Sequence, residues 1–397
     1  MPGHELYDHI ERKELMDVVE SGIFMRYGFD GARNGHWKAK EMEEAICKKT
    51  GAGYAHLMSS GTAALHATFA ALGVGAGDEV IMPVFTFVAS FETIILAGAT
   101  PVLVDINDTL CLDPAAVARA ITPKTKVVMP VHMCGAMAQL DELKEICKKY
   151  GLILLEDACQ SFGGTYKGNY LGTIGEVGCY SFDFVKTVTC AEGGAMVTNT
   201  RELYERAAQF SDHGHDHAGV DRGADLHPYM GVNYRISELH AAVGLGQIKK
   251  LDQFLGLQRR NHAVMRNALA TIPQITFRTI PDPQGDTATF LSFFLPDEES
   301  ARKAAKSLKE AGIDGVFYYY DNNWHYIRSW HHVKEVHTMM PLSAPVVRFL
   351  TEAGQKSYPA SDAIMSREIS LAIKMGWSRA ETEARAQKCV AAIKSIL

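Results

Sequence analysis

Between residue 38 and about residue 200, short apolar runs alternate with longer segments whose apolar positions recur at helical spacing. The short runs are YAHLM, DEVIMP, PVLVD, KVVMPV and LILLED, and helix-like segments such as KAKEMEEAICKK and QLDELKEICKKYG lie between them. Continuous apolar runs of this length are typical of strands that are buried on both faces. Strands that alternate with helices predict βαβ units and a mostly parallel sheet.

The pattern changes in the second half of the chain. Residues 201 to about 270 are mainly helical in pattern, and a mixture of strand-like and helical runs follows Pro273 and ends in the helical segment SRAETEARAQKCVAAIKSIL. A chain of 397 residues exceeds the usual size of one hydrophobic core. We therefore expect a large α/β domain over residues 1–255, with an N-terminal helical segment, and a smaller α+β domain over residues 256–397.

Composition and charge narrow the class of protein. The formal net charge is −6 and no long block of lysine or arginine occurs, which argues against a nucleic-acid partner. No run of 18 apolar residues predicts a membrane helix, and the polar N-terminal sequence does not resemble a signal peptide. No pair of the eight cysteines has CxxC spacing, so we expect reduced, mostly buried thiols and a cytoplasmic protein.

Two motifs are candidates for binding a charged ligand. In residues 59–64 (SSGTAA), Gly61 permits a tight turn into a helix, whose exposed N–H groups and dipole would favour a phosphate. The alternative is an ordinary turn with a serine or threonine cap. The apolar run LILLED ends at Asp157, and ligands of parallel sheets gather at such strand ends. A carboxylate there could pair with a protonated ring nitrogen or could cap a helix.

Lys186 and Asn233 are two further candidates. Lys186 follows the apolar run GCYSFDFV, and burial would lower its pKa and make it a nucleophile towards an aldehyde. The alternative is a solvated loop lysine. Asn233 precedes the small-residue helix LHAAVGLGQIKKL and could donate to an anion, although helix capping explains it equally simply.

The order and spacing of these motifs resemble those of the DegT/DnrJ/StrS family of sugar aminotransferases. The resemblance runs from about residue 20 to the end and rests on SGTAAL, the P-x-x-T-F segment from Pro83 to Phe87, EDA-x-Q, SF-x-x-x-K, EGG and GxNYR. It implies the type I fold of pyridoxal-phosphate-dependent transferases. In that fold, a mostly parallel seven-stranded sheet forms the large domain, and a smaller α+β domain follows it.

The resemblance also implies roles for individual residues. Lys186 should carry pyridoxal 5′-phosphate as an imine, and Asp157 should pair with its ring nitrogen. The other expected cofactor contacts are to the phosphate from Gly61, Thr62, Ala63 and Ser181, to the ring face from Phe87, to the ring hydroxyl from Gln160, and to the partner subunit's phosphate from Asn233. We therefore expect a homodimer with shared active sites. Asp183 departs from the histidine that is common in the family, and we expect its carboxylate to point away from the phosphate.

By resemblance, the expected reaction moves an amino group from L-glutamate to a keto or aldehydo sugar. The preferred acceptor is the C8 aldehyde of a 3-deoxy-octulosonate, as in lipopolysaccharide sugar biosynthesis, and the alternative is a nucleotide-linked 3-keto or 4-keto sugar. A sugar dehydratase of the same family would carry histidine in place of Lys186. A cofactor-binding regulator without turnover would need no substrate pocket.

Two histidine-rich stretches allow more than one interpretation. Residues 212–217 (DHGHDH) alternate acids and imidazoles as a metal site does, but adjacent loop side chains splay apart, so we expect polar substrate contacts and no metal. His325, His331, His332 and His337 could wall the pocket or lie on a helix surface. We expect these histidines, with Arg222 and Arg328, to supply donors for an acceptor carboxylate.

Overall fold

The computed structural model describes residues 3–219, 223–339 and 341–397. Strands dominate the centre of the first two hundred residues. They are β1 (Tyr54–Met58), β2 (Glu79–Pro83), β3 (Thr100–Val104), β4 (Thr125–Val128), β5 (Ile153–Asp157), β6 (Thr165–Tyr166), β7 (Asn169–Tyr170), β8 (Val177–Ser181) and β9 (Gly194–Thr198). The short strands β6 and β7 pair only with each other.

The remaining strands of this region form a seven-stranded sheet in the order β1-β9-β8-β5-β4-β2-β3. Strand β9 runs antiparallel to both of its neighbours, and the other pairings are parallel. The prediction of a mostly parallel, seven-stranded sheet is therefore confirmed. Buried apolar side chains pack against both faces of the sheet, which explains why its strands are continuously apolar in sequence.

Helices cover the sheet and continue into the second half of the chain. They are α1 (His9–Ser21), α2 (Lys38–Thr50), α3 (Gly61–Ala71), α4 (Val88–Leu96), α5 (Pro114–Ala120), α6 (Leu140–Tyr150), α7 (Arg201–Phe210), α8 (Glu238–Ile248), α9 (Leu251–Leu269), α10 (Glu298–Glu310), α11 (His331–Lys334), α12 (Ala344–Gln355), α13 (Pro359–Met365) and α14 (Arg379–Lys394). Helix α2 ends as its sequence predicts, because Gly51 adopts a left-handed φ of 79° and two lysines occupy the last turn. Among the described helices, none offers the continuous apolar length that a bilayer crossing requires.

A second, antiparallel sheet lies in the C-terminal part of the chain, with its own apolar core. Its strands are β10 (Thr276–Phe277), β11 (Phe290–Phe294), β12 (Val316–Phe317) and β13 (Glu368–Ala372), in the order β10-β11-β13-β12. Helix α9 spans the predicted boundary at residue 255, so the division into two domains at that residue stays a prediction.

The second sheet differs from its sequence pattern in two ways. Strands β10 and β12 are much shorter than the apolar runs ITFRTI and IDGVFYYY that predicted them, because each pairs with its neighbour over two residues only. Strand β13, EISLA, alternates polar and apolar residues as a half-buried strand does, yet its first four residues are all buried. Its polar Ser370 is accommodated because the hydroxyl groups of Ser370 and Ser292 form a cross-strand hydrogen bond of 2.6 Å.

Candidate active site

A cavity of about 290 Å³ opens at the carboxyl ends of the parallel strands, which we call the central cavity. Three elements supply most of its wall: the turn before α3, the end of β5 and the turn after β8. Of the predicted site residues, those that line it are Gly61, Thr62, Phe87, Asp157, Gln160, Ser181 and Lys186. Gly61 and Lys186, which are 125 positions apart in the chain, thus share one site.

Asp157 lies at the end of β5 with only 3% of its surface exposed. Its Oδ1 accepts the backbone N–H of Cys159 at 3.1 Å, and its Oδ2 accepts the hydroxyl of Ser90 at 2.7 Å. Its backbone is fixed as well, because its N–H donates to Pro130 O at 2.9 Å. Two donors, one to each oxygen, hold the buried carboxylate in one orientation.

The neighbouring Glu156 is fully buried and points away from the central cavity. One of its oxygens accepts the N–H groups of Ile174 and Gly175, and the other accepts Gly172 N–H and faces His132 Nε2 at 3.0 Å. Burial alone would raise the pKa of Glu156, but the hydrogen bonds from His132 and the backbone lower it below the usual value. Glu156 therefore anchors the end of β5, where Asp157 lies.

Gly61 is the first residue of α3, and its lack of a side chain is a steric requirement. A Cβ at this position would lie 2.8 Å from Ser181 Cβ and 3.1 Å from Cys159 Sγ. Ser60 caps the helix, since its hydroxyl accepts the N–H of Ala63 at 3.0 Å. Ala63 itself does not line the central cavity, and because its N–H is used by this cap, its predicted phosphate contact stays a prediction.

Lys186 follows β8 in a turn that two backbone hydrogen bonds hold. Its N–H donates to Asp183 O at 3.0 Å, and its carbonyl accepts the N–H of Gly3 at 3.0 Å. The side chain is half-buried and lines the central cavity. Within the described part of the chain, no group accepts a hydrogen bond from Lys186 Nζ or forms an ion pair with it.

Asp183 also lines the central cavity, and the expectation that its carboxylate points away from the phosphate stays a prediction. One of its carboxylate oxygens, Oδ1, accepts the N–H of Val185 at 3.0 Å, which explains why an acid is tolerated in this turn. Gln160 is oriented by a contact with a more distant segment, because its Oε1 accepts Cys134 N–H at 2.9 Å. Its amide NH₂ group is then the donor that remains for a ligand.

One wall of the central cavity consists of aromatic side chains. The rings of Phe87 and Trp324 are nearly parallel, 3° apart in orientation, with their centroids separated by 5.7 Å. His325 lies beside them, and its Nδ1 contacts Asn322 Oδ1 at 2.9 Å. Burial, together with the nearby charge of Lys186, lowers the pKa of His325 to about 4, so the ring is neutral at neutral pH. Of the two interpretations left open for this stretch, His325 walls the pocket.

The other histidines and the arginine of this stretch lie elsewhere. His331, His332 and His337 are absent from the described lining of the central cavity, and His331 and His337 have mostly exposed side chains. Arg328 forms an ion pair of 2.8 Å with Asp321. These four residues therefore do not line the central cavity of their own chain, and their role as donors to an acceptor carboxylate stays a prediction.

Comparison with known proteins identifies the family. A model of the DegT/DnrJ/EryC1/StrS aminotransferase family matches residues 11–391. The chain belongs to this family. Its structure is similar to that of 3-amino-5-hydroxybenzoic acid synthase, with 29% identity, 98% of this chain and 97% of that chain covered, and a TM-score of 0.82.

Two further solved structures share the fold of this DegT/DnrJ/EryC1/StrS protein. The S. venezuelae protein DesV is 27% identical, with 97% of this chain and 93% of that chain covered and a TM-score of 0.79. An aminotransferase from Psychrobacter cryohalolentis is 23% identical, with 98% of both chains covered and a TM-score of 0.84. The predicted family and type I fold are confirmed, and the protein is a transaminase that uses pyridoxal phosphate.

The residues of the central cavity fit this cofactor. Gly61 leaves space at a helix N-terminus, where backbone N–H groups favour a phosphate. Asp157 presents a carboxylate that two hydrogen bonds orient. A protonated ring nitrogen needs an acceptor of this kind. Lys186 offers an amino group that no described residue engages.

Asn233 lies apart from the predicted cofactor residues that line the central cavity. It is exposed, forms an antiparallel bridge with Asp212 and does not line the central cavity of its own chain. Its Oδ1 accepts the N–H of Arg235 at 3.3 Å, which is a local turn contact and not a helix cap. Helix α8 is capped by Ser237 instead.

The histidine loop converges more than its sequence suggested. Ligand atoms of Asp212, His215 and His217 lie within 4.8 Å of one another, so the expectation that these side chains splay apart is wrong. His215 faces His217 Nδ1 at 2.9 Å and Asp225 Oδ2 at 2.9 Å, and Asp212 also pairs with Arg235. The histidines border a separate cavity of about 430 Å³, which Arg26 and Tyr27 also line. Arg222, the other predicted donor, lies outside the described residues.

Sequence reasoning missed several residues of the site. Thr86 and Glu156 lie inside the P-x-x-T-F and EDA-x-Q motifs but were given no role there, and Ser90 lies outside the motifs. The roles of Ser90 and Glu156 depend on contacts with distant segments. For Glu156, the signal was an acid within a strand that is otherwise apolar. Such a residue must find donors when the strand is buried.

Proposed function

We propose that this protein transfers an amino group from L-glutamate to a keto or aldehydo sugar, with Lys186 and Asp157 as its catalytic residues. The convergence of Lys186, Asp157 and the N-terminus of α3 on one cavity supports the proposal most directly. Membership of the DegT/DnrJ/EryC1/StrS family supports transamination over the alternatives, a sugar dehydratase and a regulator without turnover. The presence of lysine at position 186 argues against a dehydratase of this family.

When bound, pyridoxal phosphate supplies an electron-withdrawing ring that stabilises negative charge at the reacting carbon. Lys186 would hold the cofactor through Nζ. As a free amine, Nζ would also take a proton from the donor's α-carbon and return it later in the cycle. The absence of a described acceptor for Nζ supports this role, because no ion pair has to be broken first.

Asp157 keeps the ring nitrogen protonated, and the ordered geometry of its carboxylate supports that role. Gln160 donates its amide N–H to the ring hydroxyl, and Phe87 packs on the ring face. Gly61, Thr62, Ala63 and Ser181 bind the phosphate. Asp183 lines the same cavity, and its carboxylate is kept from the phosphate by its hydrogen bond to Val185 N–H.

We further propose a homodimer in which Asn233 completes the partner subunit's site. Asn233 is exposed and lies outside the central cavity of its own chain, so it is accessible to a second copy. Charge also supports this arrangement. Among the described residues that line the central cavity, Lys186 is the cationic side chain, while Asp157, Asp183 and Glu192 are acidic. The carboxylates of glutamate and of an acidic acceptor therefore need cations from elsewhere in the assembly.

For the acceptor, we propose the C8 aldehyde of a 3-deoxy-octulosonate, a sugar of lipopolysaccharide biosynthesis. The overall resemblance of the sequence supports this choice. We propose that the histidine loop of the partner subunit supplies the donors for this carboxylate.

Covalent labelling tests the central assignment. Borohydride should fix the cofactor on Lys186 of the purified holoenzyme, and peptide mapping should recover the label there. Lys186→Ala should lose the label and nearly all turnover, because the proton carrier is gone. Lys144→Ala is the matched control, since Lys144 is an exposed lysine on α6, and it should behave as the wild type. A label on any other lysine would contradict the proposal.

A further inference from the structure

Two hydroxyl groups lie next to the carboxylate of Asp157. Ser90, on α4, contacts Asp157 Oδ2 at 2.7 Å, and Thr86 Oγ1 lies 2.7 Å from Ser90 Oγ. Ser90 lines the central cavity but has only 2% of its surface exposed, and Thr86 is fully buried. Both hydroxyl groups are therefore largely shielded from bulk water, which strengthens their hydrogen bonds.

The direction of the hydrogen bonds follows from the chemistry of the groups. An ionised carboxylate only accepts hydrogen bonds, so the proton between Ser90 and Asp157 belongs to the serine. Ser90 Oγ then has lone pairs left to accept a hydrogen bond. The hydroxyl of Thr86 lies 2.7 Å from Ser90 Oγ and 3.2 Å from a second acceptor, Phe87 O. Donation across the shorter contact gives a chain from Thr86 through Ser90 to Asp157 Oδ2.

The start of α4 is rigidly placed, which fixes Ser90 in turn. The N–H groups of Thr86 and Val88 donate to the carbonyls of His325 and Trp324, each at 2.9 Å. Ser90 N–H donates to Phe87 O at 3.1 Å inside the first turn of the helix. The serine hydroxyl thus reaches the carboxylate from a segment that these backbone hydrogen bonds hold in place.

The two oxygens of Asp157 are held by different parts of the chain. Oδ1 accepts from Cys159 N–H, which lies in the turn that continues β5, and Oδ2 accepts from Ser90, which is 67 residues away. The local contact alone leaves rotation about the Cα–Cβ and Cβ–Cγ bonds less restricted. The serine contact therefore decides which orientation the carboxylate takes.

We propose that Ser90 is a positioning residue that keeps the carboxylate of Asp157 in a single orientation, with Thr86 supporting the serine hydroxyl. The inference rests on the proposed role of Asp157. Loss of the serine hydrogen bond lets the carboxylate rotate. The rotation weakens its hold on a protonated ring nitrogen.

Three variants test this role in the holoenzyme. Ser90→Ala removes the donor, and Ser90→Cys keeps the volume with a weaker donor. Thr93→Val is the matched control, because Thr93 is also buried on α4 but donates only to the carbonyls of Ala89 and Ser90. Thermal unfolding of each variant reports whether the fold is retained.

We expect Ser90→Ala to weaken cofactor binding by the apoprotein about tenfold, as measured by equilibrium dialysis. The turnover number should fall about tenfold, and the KM of the acceptor should change less than about twofold. Ser90→Cys should lie between Ser90→Ala and the wild type, and Thr93→Val should match the wild type. In a pH titration, the absorption band of the bound cofactor should shift its midpoint in Ser90→Ala only.

A double-mutant cycle separates positioning from a general structural effect. If Ser90 acts through Asp157, then Ser90→Ala should add no further loss of cofactor affinity in an Asp157→Ala background. Additive losses would overturn the inference, as would wild-type affinity and spectrum in Ser90→Ala. If Asp157→Ala itself binds and turns over normally, the proposed function of Asp157 fails, and the inference fails with it. If Asp157→Ala is inactive and Ser90→Ala is normal, only the inference fails.

Discussion

Glu156 provides a sharp test of how the end of β5 is held, because its carboxylate accepts every hydrogen bond that reaches it. We expect Glu156→Gln to be strongly destabilising although it changes one atom. The three backbone N–H groups of Gly172, Ile174 and Gly175 cannot become acceptors. Whichever carboxylate oxygen the amide NH₂ group replaces, it therefore faces at least one backbone N–H donor.

His132 cannot relieve this conflict by exchanging its protonated nitrogen. Its Nδ1 accepts the N–H of Ala138 at 3.2 Å, so in the neutral ring the proton lies on Nε2, which faces Glu156 at 3.0 Å. If the NH₂ group replaces Oε1, it meets two backbone donors. If it replaces Oε2, it meets Gly172 N–H and the proton of His132.

Two donors thus lose their acceptor in either orientation of the glutamine. Each buried group left without a partner costs about 1–3 kcal/mol, so the free energy of unfolding should fall by about 2–6 kcal/mol. Urea-induced unfolding, followed by circular dichroism, measures the change. Glu145→Gln is the control, because Glu145 is exposed on α6, next to β5 in sequence, and it should change stability by less than about 0.5 kcal/mol.

The destabilisation should depend on pH. Because the folded protein lowers the pKa of Glu156, its ionised form contributes stability above the ordinary value of 4.5, and that contribution is lost as the pH falls through the lower folded pKa. The difference between the wild type and Glu156→Gln should therefore be largest near neutral pH and shrink in acid. A difference below about 0.5 kcal/mol at pH 7, or one that grows as the pH falls, would refute this account of the β5 anchor.

Three other predictions concern the site directly. Gly61→Ala should reduce cofactor affinity about a hundredfold, measured by dialysis, because its Cβ would lie 2.8 Å from Ser181 Cβ; unchanged affinity would remove the steric argument. When the inactive Asn233→Ala and Lys186→Ala enzymes are mixed and exchange subunits, part of the wild-type activity should return, because one site of each heterodimer has neither defect. Verified exchange without recovery would exclude a shared site. In steady-state kinetics, an eight-carbon acidic sugar should compete with the acceptor while free nucleoside diphosphates should not, and tight competition by a nucleoside diphosphate would favour a nucleotide-sugar acceptor.

The sequence alone determined the main architecture of this protein. Continuous apolar runs and helical spacing are local properties, so they predicted the strands and helices around the large sheet. The motifs that place Gly61, Asp157 and Lys186 at strand ends are also local, and parallel strands bring their carboxyl ends to one edge. For these residues, sequence order and chain topology together were enough to predict a common cavity.

Tertiary structure decided the features that depend on contacts between distant segments. The carboxylate of Asp157 is oriented by Ser90, 67 residues away, and no periodicity in either segment encodes that distance. His325 lines the central cavity because its backbone pairs with residues 84–88, whereas the nearby His331 and His337 face solvent. Ser370 of strand β13 is buried because Ser292 of the neighbouring strand β11 shares a hydrogen bond with it. In each case, the stability of a buried polar side chain depends on the hydrogen-bond partner that the fold brings to it. The pattern of residues along the sequence does not identify that partner.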